Sequence, residues 1–346
     1  MSYIDSMFKK TPTRLWLNNP NQDEMDLAIA AGIRNVTTNP AYSSRLIKSD
    51  AGFVRQVIDE IVLCEKDDDV AADMVCQKVS ERIMDRFLRF YNESGGSEGF
   101  VTIQPDPRKD EDPRAMIDAA ARHSKCGKNY MAKIPVTAAG MEAIETLLKN
   151  GVPICATEIF SIAQAIGICE LHKKICSETG KHVPLFVTHI TGIFDEYLGR
   201  YVKQKGIDVR AEALYCAGAI IGRKLYKLVK DRGYPVRILG GGARGIQHVM
   251  EFIGGDMDIT VNWSTIVELN DKGGTPINKI DAQVPEEYIA ELSEKLTDFT
   301  KAYQTDGLSV EEFAEYKPVQ LFRNMFIEGY YLLLAEIAAR RAYLPA

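Results

Sequence analysis

Eight short runs rich in apolar and β-branched residues recur along the chain, each followed by a turn and then by a stretch with helical spacing. They span Arg14–Asn18, Asn35–Asn39, Phe100–Gln104, Tyr130–Ile134, Pro153–Thr157, Pro184–Thr188, Val236–Gly240 and Asp258–Asn262. Strands alternating with helices in this way confine the chain to parallel-sheet architectures, open or closed. No G-x-G-x-x-G follows the first strand, which argues against the open dinucleotide-binding sheet. A length of 346 residues suits one closed α/β barrel of eight units with insertions.

A single (β/α)8 TIM-barrel domain is therefore expected over residues 1–346, with its core at about 13–270 and a C-terminal helical extension at about 285–346. Two helical patterns, Phe53–Cys64 and Ala71–Tyr91, flank the acidic turn Lys66-Asp67-Asp68-Asp69 and predict an extra helix between strands 2 and 3. Further helices are expected at Ile246–Ile253, Glu286–Tyr303 and Pro318–Ala342, with Gln304–Gly307 as the loop between the last two. The last can wrap the outside, cover one end as a lid, or meet a second copy in a homo-oligomer through Tyr330, Tyr331, Leu332, Leu333 and Leu334.

A net charge of −6 on dispersed charges excludes a general nucleic-acid binder and a basic membrane-surface protein. The cysteines number seven, form no C-x-x-C pair and sit mostly in apolar runs, which reads as reduced thiols. Residues 1–12 hold no signal-type apolar stretch, and no run approaches the length of a membrane span. A soluble, cytoplasmic protein with no membrane partner is expected.

Chemistry enters with one lysine inside an apolar strand, Tyr130-Met131-Ala132-Lys133-Ile134-Pro135-Val136. Burial strips hydration from an ammonium, lowers its pKa and frees a nucleophilic amine that can form an imine with a sugar carbonyl. In a barrel the site forms at the C-terminal strand ends. Those ends carry Asn18, Thr37 with Asn39, Gln104, Lys133, Thr157, Thr188 and Asn262. Hydroxyls and amides around one amine suit a polyhydroxylated ligand, because each sugar hydroxyl taken from water needs a partner.

The seventh unit, Arg237-Ile238-Leu239-Gly240-Gly241-Gly242-Ala243-Arg244-Gly245, leaves its strand through glycines. Glycines admit close approach of a ligand to backbone amides, and Arg244 adds a cationic fork for an anionic group. The predicted partner is thus a small anionic sugar.

These residues resemble the transaldolase family, including its smaller relatives the fructose-6-phosphate aldolases. The resemblance rests on Asn35-Val36-Thr37-Thr38-Asn39-Pro40, Ala132-Lys133-Ile134-Pro135-Val136-Thr137 and Ala156-Thr157-Glu158-Ile159-Phe160-Ser161-Ile162-Ala163-Gln164-Ala165, in that order, within about residues 13–270. It implies a barrel with no metal or organic cofactor, working in the carbohydrate metabolism of the pentose phosphate pathway. A lysine imine would carry a dihydroxyacetone unit from a ketose to an aldehyde. Lys133 falls on the Schiff-base position, Asn39 on one that binds donor hydroxyls, and Thr157 on one that helps hold the catalytic water. Thr188 falls where the family uses serine, and Arg244 where it uses a phosphate-binding arginine.

The departures carry as much information. The resemblance implies an aspartate at the end of the first strand to move a proton during carbon–carbon cleavage; the chain has Asn18, and an amide is no base. Gln104 stands where transaldolases use glutamate and resembles the aldolase relatives. Ile193 lies where a second phosphate-binding arginine is expected, and Gly242 replaces a serine. Glu158, Asp106 and His189 are the nearest substitute acids or bases along the chain. Strand alternation points Glu158 and His189 outward if Thr157 and Thr188 face in. The expected activity is transaldolase-type transfer, with Gln104 and Asn18 assisting Lys133 and Thr157. The alternatives are a lysine-dependent aldolase that releases free dihydroxyacetone and a non-catalytic sugar-phosphate-binding barrel.

Overall fold

The structure, a computed structural model, describes residues 2–344; Met1, Pro345 and Ala346, at the two ends of the expected domain and extension, lie outside the described residues. Eight strands form where the apolar runs stand. They are β1 (Arg14–Asn18), β2 (Val36–Thr37), β3 (Val101–Ile103), β4 (Tyr130–Pro135), β5 (Ile154–Ile159), β6 (Leu185–Ile190), β7 (Arg237–Gly241) and β8 (Asp258–Val261). Each pairs in parallel with the next, and β1 pairs with β8 to close the barrel. The fold is a (β/α)8 barrel.

Strand ends shift by a residue or two from the apolar runs for local reasons. Pro153 and Pro184 precede their strands instead of opening them: a proline has no N–H for the ladder, but each carbonyl accepts, from Ala132 N and Ile154 N, both at 2.9 Å. β2 is short because side chains take over its pairing. Thr38 N–H goes to Thr102 Oγ1 at 3.0 Å and Thr38 Oγ1 donates to Thr102 O at 2.6 Å, while Asn35 Oδ1 accepts from Phe100 N at 2.9 Å.

Inside the barrel, Trp16, Phe100, Met131, Cys155, Phe186 and Leu239 make a separate apolar plug. Trp16 and Phe186 meet edge to face with centroids 4.8 Å apart. Two residues onward along their strands stand Asn18, Lys133, Thr157 and Thr188. Period-two alternation thus places a dry floor directly beneath a polar mouth. Each large side chain in that floor contributes about 1.5–3 kcal/mol by leaving water.

Helices cover the outside, and several depart from their expected bounds. The insertion between β2 and β3 holds three helices, Tyr42–Ser49, Ala51–Cys64 and Asp68–Glu93. The acidic turn is itself a cap: Asp67 Oδ1 accepts from Asp69 N at 2.8 Å and Val70 N at 3.1 Å, so the long helix starts at Asp68 and not at Ala71. Glu286–Tyr303 is two helices, Glu286–Lys295 and Thr297–Tyr303, broken at buried Leu296, whose backbone is extended. The segment after β7 is helical only over Gln247–Met250, shorter than the expected Ile246–Ile253.

The terminal helix, Lys317–Tyr343, lies across the C-terminal end of the barrel and packs on the insertion helices. It buries Phe322, Phe326, Tyr330, Leu333 and Ile337, and leaves Tyr331 and Leu332 more than half exposed. Gly329 lets it approach closely, because a Cβ there would stand 2.4 Å from the Ala41 methyl. Among the described residues, no helix is long and apolar enough to cross a membrane.

Candidate active site

A cavity of about 420 Å³ opens at the barrel mouth beneath the terminal helix. Its wall includes Asn18, Thr37, Asn39, Lys133, Thr157, Thr188, Gly242, Arg244 and Asn262. Of the site residues read from the sequence, Gln104 does not line it, nor do the candidate acids and bases Glu158, Asp106 and His189. Phe322, Met325 and Phe326 of the terminal helix roof the cavity, so that helix is placed as a cover.

Lys133 is 6% exposed, and its Nζ donates to the Thr38 carbonyl at 3.0 Å. Burial lowers its pKa, opposed by the charges of Cys155 and Glu158. The Phe326 ring centroid lies 5.7 Å from Nζ. Among the described residues no carboxylate bonds the amine, so nothing there fixes it as an ammonium.

Side chains tie the polar ring together. Asn18 Nδ2 donates to Asn262 Oδ1 at 2.9 Å, Thr37 Oγ1 donates to Asn18 Oδ1 at 3.1 Å, and Thr37 shares a 2.6 Å bond with Thr260. Asn39 Oδ1 accepts from Ala41 N at 3.1 Å, which leaves its amide hydrogens for a ligand. Thr188 Oγ1 lies 3.2 Å from Cys155 Sγ. Thr157 is fully buried, and its hydroxyl has no partner among the described residues.

At the far wall, Gly242 adopts φ +67°, and a Cβ there would stand 2.8 Å from Ile190 and 2.9 Å from Ile193. Ile193 itself lines the cavity, so no cation stands at that position. The next turn is held from behind. Arg244 N donates to His248 Nδ1 at 3.2 Å, His248 Nε2 meets Asp195 Oδ2 at 2.8 Å, and Asp195 Oδ1 accepts from Gly218 N at 2.6 Å. The Arg244 Nε donates to Glu196 at 2.9 Å, and Glu196 also pairs with Arg200. A second guanidinium, Arg45 from Tyr42–Ser49, lines the same cavity. Its pKa is lowered by desolvation and next by the positive charge of Arg244; among the described residues no carboxylate charge acts on it.

The largest correction concerns Glu158. Alternation holds up to Thr157, but the β5–β6 register shifts between Ala156 and Ile159, and Glu158 adopts φ +60°. Gln164 pins this bulge: its Nε2 donates to Val136 O at 2.9 Å and to Glu158 O at 3.1 Å, while its Oε1 accepts from Phe160 N and Ser161 N. The Glu158 carboxylate therefore reaches the end of β3, outside the cavity wall, where Oε1 accepts from Gln104 Nε2 at 3.0 Å. Burial raises its pKa to about 7, against the lowering effects of Gln104, Lys133 and Arg323. Asp110, also buried, is held well above the carboxylate range by desolvation and by Glu158.

The other two substitutes leave the site. His189 points outward as alternation predicts, with Nε2 3.0 Å from Gly218 O, and burial lowers its pKa to about 4. Asp106 caps the turn Pro107–Lys109 and grips Arg108, with Oδ2 2.7 Å from its guanidinium.

Sequence reasoning missed Arg45, Thr260 and the Asp195–His248 support, and left the cover as one of three roles for the terminal helix. Thr260 was within reach, since it shares a strand face with Asn262. Arg45 lay in a helical stretch whose facing could not be read without the insertion packed beside it.

The transaldolase/fructose-6-phosphate aldolase family profile matches residues 15–316. Transaldolase from Neisseria meningitidis serogroup C / serotype 2a is 26% identical over 232 residues, 61% of this chain and 65% of that protein. The transaldolase of Trichodesmium erythraeum is 24% identical over 210 residues, 56% of this chain and 55% of its own. That of Renibacterium salmoninarum is 30% identical over 158 residues, 43% of this chain and 42% of its own. The chain thus spans less than two thirds of the length of these curated relatives. Among solved structures, the methanol:cobalamin methyltransferase complex MtaBC from Methanosarcina barkeri superposes loosely, with a TM-score of 0.34 and 10% identity over 80% of this chain and 83% of that chain. With a closed eight-strand barrel, a buried lysine at its mouth and a profile match across most of its length, the chain belongs to the transaldolase/fructose-6-phosphate aldolase family.

Proposed function

We propose that the chain is a Schiff-base enzyme of the transaldolase type, moving a dihydroxyacetone unit from an anionic ketose to an aldehyde. The observation that carries this reading is Lys133: a buried amine of lowered pKa, with no ion pair among the described residues, at the floor of a polar cavity. Its neutral form attacks the ketose carbonyl, and loss of water from the carbinolamine gives an iminium. Breaking the bond between the third and fourth carbons sends its electron pair into the iminium while the hydroxyl on the fourth carbon gives its proton to water, leaving an enamine on Lys133 and an aldehyde from the departing carbons. The enamine then adds to an acceptor aldehyde.

Asn18, Asn39, Thr188 and Asn262 line the cavity where donor hydroxyls would lie, and Thr37 holds Asn18 in place. The anionic tail lies between Arg244 and Arg45. Two guanidiniums sharing one cavity repel each other, and a dianionic phosphate relieves that repulsion while accepting hydrogen bonds from both. Arg45 thereby supplies the second cation that Ile193 does not.

A second reading, a lysine-dependent aldolase in which the enamine is protonated and free dihydroxyacetone leaves, is favoured by the amide at Gln104 in place of a carboxylate. One experiment tests both. The protein is incubated with fructose 6-phosphate and borohydride, with and without an acceptor aldehyde, and digested for mass spectrometry. A reduced three-carbon or hexose phosphate adduct on Lys133 is expected, and its absence with every ketose phosphate tried sinks both readings. Dihydroxyacetone released without acceptor selects the aldolase.

A further inference from the structure

We propose that Glu158 is the proton-transfer group of this site: it supplies the proton with which the Lys133 carbinolamine loses water, and takes one back when the imine is hydrolysed. The inference rests on the Schiff-base reading of Lys133 and extends it to a residue outside the polar ring.

Glu158 follows Thr157, which lines the cavity, and is 1% exposed. Among the described residues, the charges felt at Lys133 are those of Cys155 and Glu158, and Glu158 is the one carboxylate. Glu158 Oε1 is held by Gln104, whereas Oε2 is buried without a partner among the described residues. Thr157 Oγ1 is likewise buried and unpartnered. Two orphan oxygens on adjacent residues, one of them on a residue of the wall that carries Lys133, are left available to a reaction.

The backbone gives independent support. A left-handed φ of +60° is rarely adopted by a residue with a long side chain, and glycine or asparagine meets it at lower cost. Here Gln164 holds a glutamate in that conformation by its carbonyl. The bulge re-aims the carboxylate from the helical layer, where alternation would send it, to the end of β3.

The groups facing Glu158 come from every neighbouring element. Gln104 at the end of β3, Lys133 on β4 and Arg323 on the terminal helix favour the carboxylate; burial favours the acid. Asp110, on the segment after β3, is raised by burial and by Glu158, and Arg323, Asp106 and Glu111 also act on it. Arg323 is itself paired with Glu111. Opposed influences of this kind keep both forms of Glu158 within reach near neutral pH, as a group that gives and retakes a proton requires.

In the dehydration step the carbinolamine C–O bond breaks with its electron pair going to oxygen, which takes a proton passed from Glu158 through an intervening water, and leaves as water. The Lys133 nitrogen lone pair closes the C=N bond. An iminium then stands beside a Glu158 carboxylate, and hydrolysis runs the same transfers backward.

The test uses dihydroxyacetone as the probe, with borohydride trapping of Lys133 followed by mass spectrometry in the full-length protein. Wild type, Glu158→Gln and the exchange variant Gln104→Glu/Glu158→Gln are compared from pH 5 to 9. Glu158→Gln is expected to slow trapping about 100-fold, the usual scale of general acid catalysis, and to remove the pH limb near 7. The exchange variant, with a carboxylate back on the neighbouring strand, recovers at least about tenfold. Trapping by Glu158→Gln at the wild-type rate with the limb intact overturns the proposal while leaving the Schiff base standing; no adduct in wild type overturns both. Should Glu158→Gln fail to fold, the wild-type profile decides: a limb near 7 supports the proposal, and a flat rate from pH 6 to 8 overturns it.

Discussion

Asn18 donates its amide hydrogen to Asn262 Oδ1 at 2.9 Å, a side-chain bond across the β1–β8 seam at the barrel mouth. Its own Oδ1 accepts from Thr37 at 3.1 Å, so both ends of the amide are engaged. Asn18→Asp removes the donor and sets a carboxylate against an acceptor oxygen until Asn262 flips. The variant is expected to lose about 1 kcal/mol of stability and to raise the KM for a ketose donor several-fold without raising kcat. A kcat gain of about tenfold or more in steady-state assays would show that proton transfer is limiting at position 18 and would count against Glu158 in that role.

Lys133→Met is expected to abolish borohydride adducts and yet to melt above wild type at pH 7. Burial lowers the lysine pKa, so folding disfavours the ammonium that the unfolded chain carries. Stability held back by that group returns as pH rises toward the unfolded lysine value near 10.4, and the advantage of methionine shrinks in the same range. Melting curves at pH 7 and pH 10 check the sign. A lower melting point for the methionine variant at both would mean that the bond to Thr38 outweighs desolvation.

Glu158 has the opposite linkage. Its folded pKa of about 7 lies above its unfolded value, so the folded protein binds the proton more tightly. The corresponding stability is complete below the unfolded value near 4.3 and is lost as pH climbs toward 7, by about 1.4 kcal/mol for each pH unit crossed between the two. Urea midpoints from pH 4 to 8 should fall more for wild type than for Glu158→Gln. Parallel pH dependences would place the titration elsewhere, with Asp110 the next group to substitute.

Arg45→Ala and Arg244→Ala should each raise the KM for fructose 6-phosphate about tenfold or more, the scale of one charge-assisted hydrogen bond. Values for unphosphorylated fructose should stay unchanged. Equal losses with both sugars would assign the two guanidiniums to the cavity wall and not to an anionic tail.

Gly329→Ala tests the cover. Alanine is the better helix former by up to about 1 kcal/mol, but its methyl would stand 2.4 Å from the Ala41 methyl and 2.9 Å from the Ala41 Cα. Overpacking of about 1–3 kcal/mol should win, lifting the terminal helix from the β2 end. A lower melting point with faster proteolysis within 317–343 is expected; a stabilised variant would show that the helix yields freely.

The barrel was legible because its signal is local and repeated. An apolar run followed by helical spacing marks each unit, and period-two alternation then puts Lys133, Thr157, Thr188 and Asn18 on one inner face. Alternation also placed His189 outward, correctly, against Gly218. It failed at Glu158, where the bulge is fixed by Gln164, a residue whose reach to Val136 and Glu158 no periodicity encodes. Helix ends were misplaced where a side chain decides them, as at Asp67, or where burial breaks the spacing, as at Leu296.

The sequence by itself determined the barrel and the polar ring around one lysine, since both follow from short-range periodicity and from which residue types tolerate a strand end. The tertiary structure decided what surrounds that lysine: Arg45 beside Arg244, the terminal helix as a roof, and Glu158 turned onto Gln104. These depend on segments far apart in the chain packing against one another. Burial and mutual charge, which move the Lys133 and Glu158 protons, exist only once they do.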